Sequence, residues 1–120
     1  MSAEYFAMRV LELEPQVYVT GQIFENDLNT AAKQGIRTIV NNRPDHEAVG
    51  QPLSADLQRV AEELGMKFVF FPIVSGRVTQ AEIEEFAALR DDFERPVLVF
   101  CRSGARSTAL WEICDSLGGA

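Results

Sequence analysis

The chain repeats one pattern three times: an amphipathic segment, a stop, then a short apolar run. Leu28, Ala31 and Ala32 share a helical face, Gly35 stops it, and Ile36-Arg37-Thr38-Ile39-Val40 follows as a strand. From a start near Ser54, Leu57, Val60, Ala61 and Leu64 fall at the spacing of one helical face. Gly65 ends that helix, and Lys67-Phe68-Val69-Phe70-Phe71 is the next strand, stopped by Pro72. Thr79-Gln80-Ala81-Glu82 reads as a capping box that opens a third helix, with Ile83, Phe86 and Phe93 directed inward. Pro96 then precedes the apolar run Val97-Leu98-Val99-Phe100. Strands separated by whole helices pair in parallel through crossovers, and a parallel sheet needs both faces covered. The sequence therefore predicts an α/β fold: a central, mostly parallel sheet with helices on both faces. Right-handed crossovers gather the working loops at the carboxyl edge of the strands. Two shorter strands at the front, Met8 to Leu13 and Val17-Tyr18-Val19, are joined by a turn at Glu14-Pro15-Gln16, and Thr20-Gly21-Gln22 makes another turn.

The last apolar run ends in Cys101, turns through Gly104, and opens an amphipathic segment from Arg106 to Leu117. A cysteine between a strand and a helix start meets unpaired backbone N–H groups and the positive end of the helix dipole. Arg106, and Arg102 beside it, add cations. Each of these favours thiolate over thiol. The same N–H groups, Ser103, Gly104 and Ala105 among them, form a nest for an oxyanion. One segment thus supplies a nucleophile and an anion pocket. Ser107 either hydrogen-bonds the thiolate or serves as a helix-start residue.

With 120 residues, a single domain spanning 1–120 with a real core is expected. Eighteen acids against 11 bases give a net charge of −7, which argues against nucleic acid or an anionic membrane as partner. Nine of the bases are arginine, and Arg43, Arg77, Arg102 and Arg106 fall in loops near strand ends, which suits a local anion site on an acidic body. No apolar run approaches membrane-spanning length, and residues Met1 to Pro15 do not read as a signal peptide. A reducing cytoplasm is the expected location, where Cys101 would stay available. The chain stops at Gly118-Gly119-Ala120 directly after its last helix, so two expectations stand: a sequence cut at that point, or a domain normally joined to another.

The run Asn41-Asn42-Arg43-Pro44-Asp45-His46-Glu47 is placed at the same sheet edge as Cys101. Arg43 is there a candidate ligand for an anionic substrate and Asp45 a candidate acid; the alternative for both is a hydrogen-bonded turn. His46 is the only histidine, so no metal site is expected, and no cofactor. Cys114 lies eight residues beyond Arg106, about 12 Å of helical rise away. That is too far for a disulfide to Cys101, which needs Cα atoms within about 7 Å. Cys114 is read as a core residue in a stripe with Leu110, Ile113 and Leu117, as are Trp111 and Phe68, Phe70 and Phe71, with Phe71 or Phe100 a candidate pocket floor.

Together, Gly21-Gln22-Ile23, Asn41-Asn42-Arg43-Pro44-Asp45, Gln51-Pro52, Phe71-Pro72-Ile73-Val74 and Cys101-Arg102-Ser103-Gly104-Ala105-Arg106-Ser107-Thr108-Ala109-Leu110-Trp111 cover nearly the whole chain. They resemble the small bacterial domain described as beta-lactamase-hydrolase-like, phosphatase-like. The resemblance implies the three-layer protein tyrosine/dual-specificity phosphatase fold. Members are also described as small sulfur transferases, sometimes fused to a persulfide dioxygenase or a flavin oxidoreductase, which would be the fused or separate partners here. Phosphatases of that fold place five residues between cysteine and arginine; here four intervene, and the text Cys-Arg-Ser-Gly-x-Arg-Ser resembles rhodanese loops. Those phosphatases also carry an aspartate after the strand that here runs into Phe71-Pro72-Ile73-Val74, where this chain has Ser75-Gly76-Arg77, and a histidine where Phe100 stands. Sulfur transfer needs no proton donor, since sulfite or a thiolate departs as an anion.

The first expectation is therefore a cysteine-dependent sulfurtransferase that carries sulfane sulfur as a persulfide on Cys101, with Arg102, Arg106 and the loop amides stabilising charge. Two alternatives stand beside it. One is a cysteine-dependent phosphatase with a phosphocysteine at Cys101 and Asp45 as acid. The other is a non-catalytic oxyanion-binding or redox-sensing module. The substrate in the first two is a small sulfur or phosphate anion.

Overall fold

The computed structural model describes residues 10–118. Its elements run β1 (Val10–Glu14), β2 (Val17–Thr20), α1 (Glu25–Lys33), β3 (Thr38–Asn41), α2 (Ser54–Glu63), β4 (Lys67–Phe70), α3 (Gln80–Arg90), β5 (Val97–Phe100) and α4 (Ala105–Gly118). Met8 and Arg9, with which the predicted first strand begins, lie outside the described residues. The five strands form one sheet in the order β1-β2-β5-β3-β4. β1 pairs antiparallel with β2; the other three pairings are parallel.

β5 sits at the centre and is buried along its whole length. Its alternation divides the interior in two. Leu98 and Phe100 face one way, into a core with Ile23, Leu28, Ala31, Ile39, Leu57 and Ala61 from the side of α1 and α2. Val97 and Val99 face the other way, into a core with Ile83, Phe86, Leu110, Trp111 and Cys114 from α3 and α4. The three-layer arrangement predicted from the sequence is present.

The register fixes where function can sit. Thr20 pairs with Phe100 and Phe100 with Asn41, while Asn41 also pairs with Phe70. Four strands therefore end in line, and the segments after them (Gly21-Gln22, Asn42-Arg43, Phe71 onward and Cys101 onward) meet at one edge.

The local stops are as expected. Gly35 (φ +88°) and Gly65 (φ +86°) take the left-handed conformation that ends a helix. The Thr79 hydroxyl accepts from the Glu82 amide at 3.1 Å, and the Glu82 carboxylate accepts from the Thr79 amide at 2.9 Å. Three packing expectations need correction. Ile113 and Leu117 are 43% and 40% exposed, because the buried face of α4 is Ser107, Leu110, Trp111 and Cys114, a face to which neither belongs. Phe70 is 40% exposed because β4 is an edge strand. Phe93 lies beyond the end of α3, where its ring packs against Phe86 and Trp111.

Candidate active site

Cys101 follows directly on the centre strand and is 1% exposed. The loop turns back over it. The Gly104 amide donates to Cys101 Sγ at 3.1 Å, and the amides of Ser103 and Ser107 and the Ser107 hydroxyl are also directed at the sulfur. Burial pushes the thiol up, but these donors outweigh it and hold its pKa below the ordinary 9.0. The thiolate is thus stabilised first by local N–H and O–H groups. In the expectation from the sequence, too, the loop amides and the helix dipole come first and the arginines are added to them.

The turn after β2 fixes this conformation. Gly104 takes φ +94°, and a Cβ there would meet the Thr20 carbonyl oxygen at 3.4 Å. Gly21 packs closer still: a Cβ on it would lie 2.9 Å from the Arg102 carbonyl oxygen, which accepts from the Gln22 amide at 3.1 Å. The loop ends as α4 begins, with the Thr108 amide bonded to the Gly104 carbonyl at 3.0 Å and the Ser103 hydroxyl accepting from the Ala105 amide at 3.3 Å.

Arg106 reaches back over the loop. Its Nη1 donates to Glu47 Oε2 and to the Ile73 carbonyl, both at 2.9 Å, and its Nη2 donates to Glu47 Oε1 at 2.9 Å. A guanidinium has five N–H donors. Among the described residues three have acceptors, and the other two, on Nε and Nη2, lie on one edge of the group. That edge is the side-on fork that fits an oxyanion. The Arg106 guanidinium and Glu47 hold each other ionised: Glu47 is pulled down to about 2, first by Arg106 and then by Arg43, and Arg106 is raised by Glu47.

Together with Ser75, Arg102, Ser103 and Ala105, these two side chains line an open cleft of about 430 Å³ over the loop. Arg102 is exposed there, and its guanidinium has no hydrogen-bond or ion-pair partner among the described residues. Ser107 is buried below, and its single hydroxyl proton serves either Asn42 Oδ1, 2.8 Å away, or the Cys101 thiolate, while the Asn42 amide donates to the Phe71 carbonyl at 2.9 Å.

Two of the predicted residues are placed elsewhere. Arg43 has its side chain only 5% exposed, with Nε on Glu47 Oε1 at 2.9 Å and Nη1 on Gln22 Oε1 at 3.0 Å. It supports Glu47 and is not among the residues lining the cleft. Asp45 Oδ1 accepts from the Ser54 amide at 2.8 Å, so its carboxylate closes the start of α2. Phe71 and Phe100 are buried in the two cores and do not floor the cleft. Sequence reasoning missed Glu47. The signal was there, since two arginines at one sheet edge need a counter-charge and this loop offers only two acids. Among the described residues no cluster of histidine, cysteine or acidic side chains is arranged to hold a metal.

A sheet of this order, with a cysteine at the end of its centre strand and an amide-lined loop closed by an arginine, defines the protein tyrosine/dual-specificity phosphatase-like class. Solved structures agree: a candidate phosphatase from Neisseria meningitidis superposes with TM-score 0.82 at 32% identity, covering 92% of this chain and 78% of that one. A phosphatase-family structure from Shewanella putrefaciens (TM-score 0.82, 22% identity, 94% and 75% covered) shares the fold. So does the catalytic core of an S. cerevisiae PP-IP phosphatase (0.62, 10%, 79% and 56%). Residues 8–118 match the family "Beta-lactamase hydrolase-like protein, phosphatase-like domain", and the chain belongs to that family. Beta-lactamase hydrolase-like proteins of Xylella fastidiosa and Agrobacterium fabrum are each 30% identical over 112 residues, 93% of this chain. The chain spans about a quarter (26%) of their length.

Proposed function

We propose that the domain is a thiolate-dependent group-transfer enzyme of the phosphatase-like class, acting on anionic donors whose leaving group departs without a proton. Cys101 Sγ attacks the donor, the Cys101–group bond forms as the bond to the leaving group breaks, and the leaving group takes the electron pair. Ser103, Gly104 and Ser107 amides and the free edge of Arg106 hold the charge in the transition state. An acceptor then attacks the covalent group, and the thiolate is released into the same donors.

The observation that carries this reading concerns the proton donor. Among the described residues, the only carboxyl lining the cleft is Glu47, and a group held near 2 cannot protonate a leaving oxygen at neutral pH. Phosphoryl transfer to water from acidic leaving groups, such as aryl phosphates or mixed anhydrides, is the first form of the reaction. The family description and the Neisseria relative at 32% identity support it. Sulfane sulfur transfer through a Cys101 persulfide is the second form, favoured by one specific observation: four residues, not five, separate Cys101 from Arg106.

Parallel aryl phosphate and thiosulfate:cyanide assays on the wild type and Cys101→Ser test the reading. Turnover in the first, abolished by the substitution, with none in the second, establishes the phosphatase form; the reverse pattern, with one sulfur added to Cys101 by mass, establishes sulfur transfer. Activity that survives Cys101→Ser in both overturns the reading.

A further inference from the structure

On the other side of the loop from Glu47 lies a second, larger opening of about 660 Å³, within the size range of small-molecule sites. β1 and β2 supply Leu11 and Val19 to its walls, and α4 supplies Ala105 and Ala109 from the face opposite its buried one. It adjoins the Arg106 cleft, since Ser103 and Ala105 line both. A molecule with its anionic group in the cleft can therefore lay its remainder across the Ser103–Ala105 rim into this groove. Glu112 is the only charged side chain among the described residues that line it, and no cation does. The groove thus accepts apolar surface, favours a terminal ammonium, and repels a second anionic group.

We propose that this groove binds the organic portion of the substrate, and that this portion is apolar and neutral or cationic rather than anionic. The inference rests on the reading of Cys101 and Arg106 given above and narrows it. Donors with a second negative end, such as nucleotides or carboxylate-rich peptide thiols, are then poor substrates. Compounds with an alkyl, aryl or amine-tipped body are good ones.

Binding without turnover isolates the question. Phosphonates resist hydrolysis, and a bound one shields Cys101 from iodoacetamide. Hexylphosphonate and aminohexylphosphonate are expected to protect at concentrations about tenfold below methylphosphonate, as burial of a short alkyl chain implies. Carboxypentylphosphonate, with the same reach, gains nothing. Ala109→Trp, at an exposed position, fills the groove and removes the ratio between hexyl and methyl compounds. Glu112→Lys reverses the order of the amine- and carboxylate-tipped compounds. Equal protection by all four compounds, or an unchanged ratio in both variants, overturns the groove while leaving the anion site standing. Protection by none, methylphosphonate included, overturns the anion site itself and the groove with it.

Discussion

Glu47 grips Arg106 end-on, through Nη1 and Nη2 at 2.9 Å each, and leaves the Nε edge of the guanidinium without a partner among the described residues. The contact joins two segments 59 residues apart in the chain, and Arg43 secures it from behind through Glu47 Oε1. A free arginine side chain loses much of its rotamer freedom when it docks on an anion. Here that ordering is done in advance, and the carboxylate occupies only the donors an oxyanion does not need.

Removing the charge while keeping the shape should expose this role. Glu47→Gln is expected to lower kcat/KM for an anionic donor by about 10- to 100-fold, the scale of losing one charge-assisted fork. Cys101 alkylation, which needs no Arg106, should change little. Steady-state kinetics beside iodoacetamide rates separate the two. Equal loss in both would mean that the substitution disrupts the whole loop.

The same pair gives a pH signature for stability. Glu47 falls from 4.5 to about 2 on folding, so its contribution is present in full above the ordinary carboxylate range and is lost as pH falls toward 2. Denaturant unfolding of the wild type should weaken between roughly pH 5 and pH 2 more steeply than that of Glu47→Gln. Parallel curves for the two proteins would contradict the assignment.

The thiolate rests on a different set of groups. The Cys101 pKa is lowered by the Ser107, Ser103 and Gly104 donors against the opposing effect of burial. Alkylation of Cys101 should therefore show an inflection below 9.0, and Ser107→Ala should move it upward by removing the hydroxyl while keeping the amide. If the inflection stayed in place in Ser107→Ala, the hydroxyl would belong to Asn42 alone.

How much of this was legible in the chain differs by level. The three helix–strand repeats gave the layers and placed Cys101 at the working edge, because apolar periodicity and glycine stops are local signals. The second cover of the loop was not legible. Gly21 reads as an ordinary turn residue, yet what it does is bring the Gln22 amide within 3.1 Å of the Arg102 carbonyl, across a β2–β5 pairing that no local pattern announces. Glu47 was only half legible: two arginines at one edge call for a counter-charge, but its partners lie four and 59 residues away, and only the aligned strand ends select it over Asp45.

Gly21 itself can be tested. In Gly21→Ala the new methyl would sit 2.9 Å from a backbone oxygen, nearer than real contacts allow, so the loop or the turn must shift. A stability loss of about 1–3 kcal/mol is expected, as for other overpacked sites. The larger effect should be on turnover, since a displacement of well under 1 Å at Arg102 moves the amides that face Cys101. Thermal melts and kinetics on the same preparations decide it, and full activity in a destabilised protein would show that the loop tolerates the push.

Asp45 separates the two uses of an acid in this loop. Its Oδ1 holds the first amide of α2 at 2.8 Å and does not line the cleft. Asp45→Ala should therefore behave as the loss of a helix cap, costing about 0.5–2 kcal/mol of stability. Turnover of an aryl phosphate with an acidic leaving group should stay within about twofold of the wild type, a change of under 1 kcal/mol in the barrier. The decisive comparison is the dependence of rate on leaving-group acidity. A general acid flattens that dependence, because the proton arrives as the bond breaks. With no such group in the cleft, the dependence should be steep in the wild type and equally steep in Asp45→Ala. A shallow slope in the wild type that steepens in Asp45→Ala would assign the proton to Asp45 and require the loop to swing away from α2 during the reaction.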